Sequence, residues 1–170
     1  SGMITSKISD GPYPREGVAH AYELADGRYA ESDYGEFPTF AASGNGGVWS
    51  SVMELAKYEE AIRNNVFLGK ELTEESRTVL VPGNWADTIE PFIGYSWFIG
   101  EKWLIEGGSN FNQHFVYHTG SQGGFRAFYI FMPEKDILYV GLFNRPTDSL
   151  YRIIMQGLTL LEEKNWLEKK

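Results

Sequence analysis

The sequence predicts an α+β chain, an antiparallel sheet with packed helices, and three observations carry that expectation. Apolar residues recur at helical spacing before Pro91 and at strand spacing after it. Two apolar runs, Phe125 to Met132 and Ile137 to Phe143, flank Pro133-Glu134-Lys135-Asp136, where proline presets a hairpin turn. The chain then closes on an amphipathic stripe of Leu150, Ile153, Ile154, Leu158 and Leu161.

Taken in order, residues 1–40 carry scattered Gly, Pro, Tyr and acidic residues without a sustained period, and read as mostly loop with short extended pieces. A helical region follows over 41–90. Ser43-Gly44-Asn45-Gly46-Gly47 is a glycine-rich turn, and Ser51-Val52-Met53-Glu54 fits a capping box whose hydroxyl and carboxylate satisfy orphan amides reciprocally. Val52, Leu55, Ala56 and Ile62 form the apolar stripe of that helix, which Asn64-Asn65 and Gly69 stop. Thr73-Glu74-Glu75-Ser76 opens a shorter helix that Pro82-Gly83 closes. Residues 91–147 read as antiparallel strands. Tyr95 to Ile99 and Trp103 to Ile105 flank Gly100-Glu101, a pair suited to a two-residue hairpin turn, and His114 to His118 is a further strand ending in Thr119-Gly120. The last helix spans Asp148 to Lys164, within a closing segment of 148–170.

Composition narrows the class of protein. With 170 residues, 42% of them hydrophobic and 15% aromatic, one packed domain is expected rather than a disordered chain. The absence of cysteine removes disulfides, thiolate metal sites and cysteine nucleophiles together. A net charge of -8 argues against nucleic acid as a partner, because binding a phosphate backbone relies on Lys and Arg displacing counterions. No apolar run approaches the ~20 residues of a membrane-spanning helix. The start, Ser-Gly-Met-Ile-Thr-Ser-Lys, lacks the apolar core of a signal peptide.

The strand pattern carries a further implication. Phe125, Ala127, Tyr129 and Phe131 fall on one face, whereas Phe128, Ile130 and Met132 fall on the other, and the partner strand is apolar on both sides too. Such a sheet needs cover on both faces. The last helix supplies one cover, the short helices near Val52 and Glu74 are not expected to suffice for the other, and the remainder is expected from an absent segment, a second chain or a homo-oligomer.

Candidate chemistry concentrates in Tyr117-His118-Thr119-Gly120-Ser121-Gln122-Gly123-Gly124-Phe125, where glycines let a ligand approach the backbone. By residue type alone the favoured reading is an ordinary turn between strands, with His118 as an edge residue. His114 and His118 have the spacing of helical zinc ligands, but Phe115-Val116-Tyr117 favours a strand, which would set them ~13 Å apart. No metal site is expected there. Trp85, Trp97 and Trp103 are read as core rather than a carbohydrate platform, and His20 as a surface or packing residue.

The run from His118 to Phe125, continuing through Met132-Pro133-Glu134-Lys135 to Leu142-Phe143-Asn144, resembles the third motif and last hairpin of the serine β-lactamase and penicillin-binding-protein superfamily, most of all its class C β-lactamase and DD-peptidase branch. Ser43 to Ser51 with Glu54-Leu55-Ala56-Lys57 is similar to that branch's glycine turn and helix, and Gly94-Tyr95-Ser96-Trp97-Phe98 to its following strand. The resemblance covers about Ala41 to Leu161. Two family motifs are missing: Ser-x-x-Lys, which carries the nucleophile, and Tyr-x-Asn. The resemblance therefore implies a partial β-lactamase/transpeptidase-like fold lacking its N-terminal portion.

Carried over by position, His118 takes the place of the Lys or His that opens the third motif. Thr119 would offer its hydroxyl to a substrate carboxylate, Gly120 would keep the strand edge clear, and the Ser121 amide would be one oxyanion-hole donor. Asn144 is a further candidate for a substrate contact, with an ordinary strand-ending role as its alternative. The implied function is the C-terminal part of a penicillin-recognising serine hydrolase acting through an acyl-enzyme on a β-lactam, a peptidoglycan-like peptide or an ester. It needs no cofactor, and this chain would be inactive alone. The alternative is a non-catalytic binding or assembly module on the same scaffold. Partners implied are a small molecule or peptide, a second copy, or the missing N-terminal part. The location implied is periplasmic, cell-envelope or secreted.

Overall fold

The computed structural model describes residues 1–9, 12, 14–32, 46–82, 92–104, 110–145 and 149–167. Trp85, residues 43–45 of the glycine turn, Gly83 and Asp148 lie outside the described residues. The N-terminal segment holds β1 (Lys7–Ile8) and a hairpin of β2 (Tyr22–Ala25) and β3 (Arg28–Glu31). Asp26 and Gly27, both at positive φ (49° and 74°), make the tight turn whose twist suits a two-residue hairpin. Next come β4 (Val48–Trp49), α1 (Val52–Arg63), α2 (Lys70–Ser76), β5 (Val81–Pro82), β6 (Phe92–Ile93) and β7 (Phe98–Leu104). Then follow β8 (Asn110–Gln122), β9 (Phe125–Met132), β10 (Ile137–Phe143) and α3 (Leu150–Glu163).

Six strands form one antiparallel sheet in the order β10-β9-β8-β7-β6-β5, while β1 pairs with β4 and β2 with β3. The β9–β10 hairpin has the expected register, Ile137 opposite Met132 through Phe143 opposite Arg126, and Asp136 takes the left-handed conformation that closes its turn. Both faces of β9 are used, as the alternation required. Phe128, Ile130 and Met132 pack with Phe115 against Ile154, Met155 and Leu158 of α3. Each such apolar side chain contributes roughly 1.5–3 kcal/mol when fully buried.

Three local expectations change. Gly100-Glu101 is not a hairpin turn: β7 runs straight through it, and the register against β8 shifts between Gly100 and Lys102. A glycine inside a strand marks a bulge as readily as a turn, and here the long partner strand decides. The second helix starts at Lys70 and ends at Ser76, because Gly69 caps it rather than stopping the helix before it. The apolar stripe assigned to α1 is not its buried face. Val52 is 46% exposed and Ala56 is exposed, while the buried residues are Glu54, Glu59 and Ala61.

The reason lies in what faces α1. Glu59, 1% exposed, receives two guanidinium hydrogen bonds from Arg77 at 2.8 and 2.7 Å, one to each carboxylate oxygen. The Tyr129 hydroxyl donates a third, from the face of β9 opposite α3. Arg77 also lies over the rings of Trp97 and Phe131, at 5.0 and 5.3 Å. Burial raises the Tyr129 phenol far above its usual range, the Glu59 carboxylate adds to this, and Arg77 offsets it only in part. The helical region is thus fastened to the sheet by a compensated ion pair. Removing one partner of such a pair leaves a bare buried charge, which costs about 3–5 kcal/mol. Glu59→Gln is therefore expected to lower the urea midpoint sharply with an unchanged slope; a loss below about 1 kcal/mol would show that this pair does not anchor the fold.

Candidate functional site

Residues 118–121 lie on the last third of β8. There the strand is paired on one side only: β7 begins at Phe98, opposite Tyr117, and reaches no further along β8, whereas β9 continues alongside, with His118 opposite Tyr129 and Ser121 opposite Arg126. Among the described residues nothing pairs with the other edge. His118, Thr119, Gly120 and Ser121 are all exposed. A strand edge bare over five residues presents backbone donors and acceptors to any extended ligand.

Strand alternation divides the four residues. His118 and Gly120 face the helices α1 and α2, since Tyr129 opposite His118 reaches Glu59, and Thr119 and Ser121 face α3, since Phe128 opposite Thr119 packs there. The His118 imidazole rests against Phe98 with ring centres 5.2 Å apart, and its Nδ1 lies 2.7 Å from the Thr119 carbonyl. A carbonyl only accepts, so Nδ1 carries the proton in the neutral ring and Nε2 is left as an acceptor. A methyl group at Gly120 would meet the Ala127 Cβ at 3.5 Å, an ordinary contact, so packing within the chain does not demand glycine there.

The neighbouring glycines differ. Gly123 has φ +50° and makes the β8–β9 turn, and a Cβ on Gly124 would fall 2.2 Å from that of buried Ala21. Both serve the turn and its packing, which accounts for them without a ligand.

Beyond Gln122 the sheet opens into a cavity of about 790 Å³. Its walls come from the N-terminal segment (Thr5, Lys7, Val18), from β4 and the start of α1 (Trp49, Ser50, Leu55), and from the ends of β8, β9 and β10 (Gln122, Phe125, Arg126, Leu142). Trp49 meets the Phe125 ring edge-on at 5.2 Å. Gly47, at φ +74°, lets the Ser9 backbone pass so closely that a Cβ would lie 2.3 Å from its carbonyl oxygen. No local pattern could have announced this cavity, because its walls are far apart in sequence.

Asn144 lines the same cavity but is engaged. Its side-chain amide donates to the His20 carbonyl at 2.9 Å, and its own carbonyl accepts the Tyr22 amide at 2.9 Å. It stands two strands from Ser121, roughly 10 Å across at ~4.8 Å per strand, so it does not join the His118 group directly. His20 also contacts Glu31 at 3.1 Å.

Glu54 holds the N-terminal wall. Ser51 caps α1 by accepting the Glu54 amide at 3.2 Å, but the reciprocal half of the capping box is not made. The carboxylate instead accepts the amides of Thr5 and Ser6 and the Ser6 hydroxyl at 3.0–3.2 Å, and pairs with Lys57 at 3.0 Å. Burial opposes its ionisation, yet Lys57 and these donors outweigh that and bring the carboxyl down from 4.5 to about 2.

The family model described as Beta-lactamase matches residues 1–160. No curated protein sequence matches significantly. Among solved structures, the chain is similar to an octameric penicillin-binding protein homologue from Pyrococcus abyssi, with 28% identity and a TM-score of 0.68 over 91% of this chain and 33% of that one. A penicillin binding protein from Bacillus halodurans matches with 18% identity and a TM-score of 0.71, over 94% and 45%. A D-stereospecific amidohydrolase from Streptomyces sp. matches with 15% identity and a TM-score of 0.58, over 82% and 38%. The chain thus spans between a third and just under half of these structures.

Two outcomes follow from the geometry. Because Glu54 is depressed in the folded state, its contribution is complete above the unfolded carboxyl near 4.5 and fades as pH falls toward 2. The acid-unfolding curve of Glu54→Gln should therefore be flatter between pH 5 and about pH 2; an identical curve would contradict the assignment. Gly120→Ala should leave stability within about 1 kcal/mol, whereas Gly124→Ala should cost about 1–3 kcal/mol by overpacking Ala21, as read from urea midpoints. Equal losses at both would remove the distinction between an open and a packed glycine.

Proposed function

The chain belongs to the beta-lactamase family, matched over residues 1–160, and we propose that it forms the third-motif half of a serine acyl-transfer site. The observation that carries this reading is the bare edge of β8 beside exposed His118, Thr119, Gly120 and Ser121. A peptide-like or β-lactam substrate would lie along that edge with its acyl carbonyl near Gly120. A serine hydroxyl from outside these 170 residues would bond to the carbonyl carbon, and the Ser121 amide would donate to the oxygen as negative charge develops. The amide, lactam or ester bond then breaks as the leaving nitrogen or oxygen takes up the proton lost by the serine hydroxyl, and water adds to the acyl ester, releasing the free acid and returning a proton to the serine oxygen. His118 would exchange a proton or hydrogen bond through Nε2, and Thr119 would hold a substrate carboxylate through its hydroxyl. Gly120 would leave room for the acyl group.

On this reading the substrate is a β-lactam, a D-Ala-D-Ala peptide or a simple ester, and the protein works in the periplasm, at the cell envelope or outside the cell. The fold alone does not choose among these substrates. The 170-residue chain by itself would be inert. The test is turnover of a chromogenic β-lactam, a D-Ala-D-Ala peptide and a p-nitrophenyl ester, by the chain alone and joined to the polypeptide encoded upstream of it. Turnover is expected only from the joined form, with His118→Ala lowering kcat/KM by about 100-fold. Turnover by the chain alone would overturn the assignment of the nucleophile, and peptide binding without any covalent adduct would make this a binding module instead.

A further inference from the structure

The imidazole of His118 does not stay on the face that strand alternation gives it. His118 belongs to the face of α1 and α2, whereas Phe98, opposite Tyr117, belongs to the face of α3. Yet the imidazole meets the half-buried Phe98 ring at 5.2 Å between centres and 38° between planes, within the range of an aromatic pair. To do so it leans out over the bare edge, just beyond the start of β7. Phe98 is held in turn by Tyr117, whose ring lies 5.5 Å away at 31°. Tyr117 packs against the apolar cluster of β9 and α3, so the support of an exposed histidine reaches back to the core.

The lean decides which backbone group the ring meets. Nδ1 lies 2.7 Å from the Thr119 carbonyl, and a ring drawn toward β7 reaches a carbonyl on the open edge, not one aimed at β9. In a strand the N–H and C=O of one residue point the same way, and residues two apart share that direction. Thr119 and Ser121 therefore present their backbone groups to the same open edge, and the acceptor of Thr119 is already taken. Among the described residues no other ring, ion pair or hydrogen bond engages the imidazole. We propose that Phe98 is a positioning residue, which holds the His118 imidazole across the open edge of β8 with Nδ1–H on the Thr119 carbonyl and Nε2 turned to the ligand as an acceptor. An unheld imidazole turns about two side-chain bonds and carries its neutral proton on either nitrogen. The same placement limits how a ligand pairs with the edge: Ser121 offers both its amide and its carbonyl, whereas pairing at Thr119 requires the ring to leave. The ligand's part in this rests on the acyl-transfer reading; the placement of the ring does not.

The test is the His118 tautomer, read from long-range proton–nitrogen correlations of the 170-residue chain at high pH, where the ring is neutral. The Nδ1–H form is expected to dominate in the parent chain, with cross-relaxation between the His118 and Phe98 ring protons. Phe98→Leu should lower the ratio of Nδ1–H to Nε2–H by about fivefold, the weight of one hydrogen bond, and Phe98→Tyr, which keeps the ring, should hold it at the parent value. An Nε2–H ring in the parent chain, no cross-relaxation between the two rings, or the same ratio in Phe98→Leu would overturn the proposal, and the first two need no variant to fold. In the form joined to its upstream polypeptide, Phe98→Leu should lose kcat/KM in step with its Nδ1–H fraction, and Phe98→Tyr should keep it. A tautomer shift that leaves turnover unchanged would overturn the proposal as well. A joined form without turnover would sink the acyl-transfer reading alone, since the tautomer still decides where the ring is held.

Discussion

The arrangement of helices on the sheet depends on one buried ion pair. Glu59 sits on the face of α1 that meets the sheet, and its charge is compensated by the two nitrogens of Arg77 and the hydroxyl of Tyr129. Arg77 is in turn held between Trp97 and Phe131, so one guanidinium links α1, the segment after α2, the residue before β7 and strand β9. An apolar replacement of similar volume could fill the same space. It would not fix the same direction, because the bidentate geometry of guanidinium on carboxylate sets orientation as well as contact. Tyr129 is also the cross-strand neighbour of His118, so the pair anchors the strand beside which the candidate site stands.

The glycines of the molecule divide by what surrounds them. At Gly141 and Gly157 a Cβ would strike the Phe128 ring and the Tyr139 hydroxyl, and at Gly94 the backbone of Ser76 and Thr78. These positions are glycine because the protein itself comes close. Gly120 is different, since its surroundings would accept a methyl group.

Much of the C-terminal half was legible in the sequence because its elements are defined by local periods. The β9–β10 hairpin, its turn at Asp136, the two-sided burial of β9 and the stripe of α3 all follow from apolar spacing. The face of α1 was not legible, since a glutamate at helical spacing looks solvent-exposed until its arginine and tyrosine partners are known. Gly100-Glu101 misled because a glycine in a strand signals a bulge and a turn in the same way. The Asp26-Gly27 pair was a readable hairpin signal inside a segment otherwise read as loop. For the candidate site, residue types marked out Tyr117 to Phe125 but favoured an ordinary turn there, and only the family resemblance gave His118 to Ser121 individual roles. The bare edge beside them arises because β7 begins only at Phe98, and the cavity from three segments distant in sequence, neither of which a local pattern encodes.

The connectivity also sets an order of assembly. Strands β5 to β10 are each bonded to their neighbours in sequence, so the main sheet is a meander formed from comparatively local contacts. The hydrogen bond from Asn144 to His20 instead closes a span of 124 residues, and Glu54 reaches back 49 residues to Thr5. Loop closure over such spans is rewarded only once the sheet exists. The N-terminal segment is accordingly expected to dock last and detach first, taking with it the wall it gives the cavity while the meander stays paired.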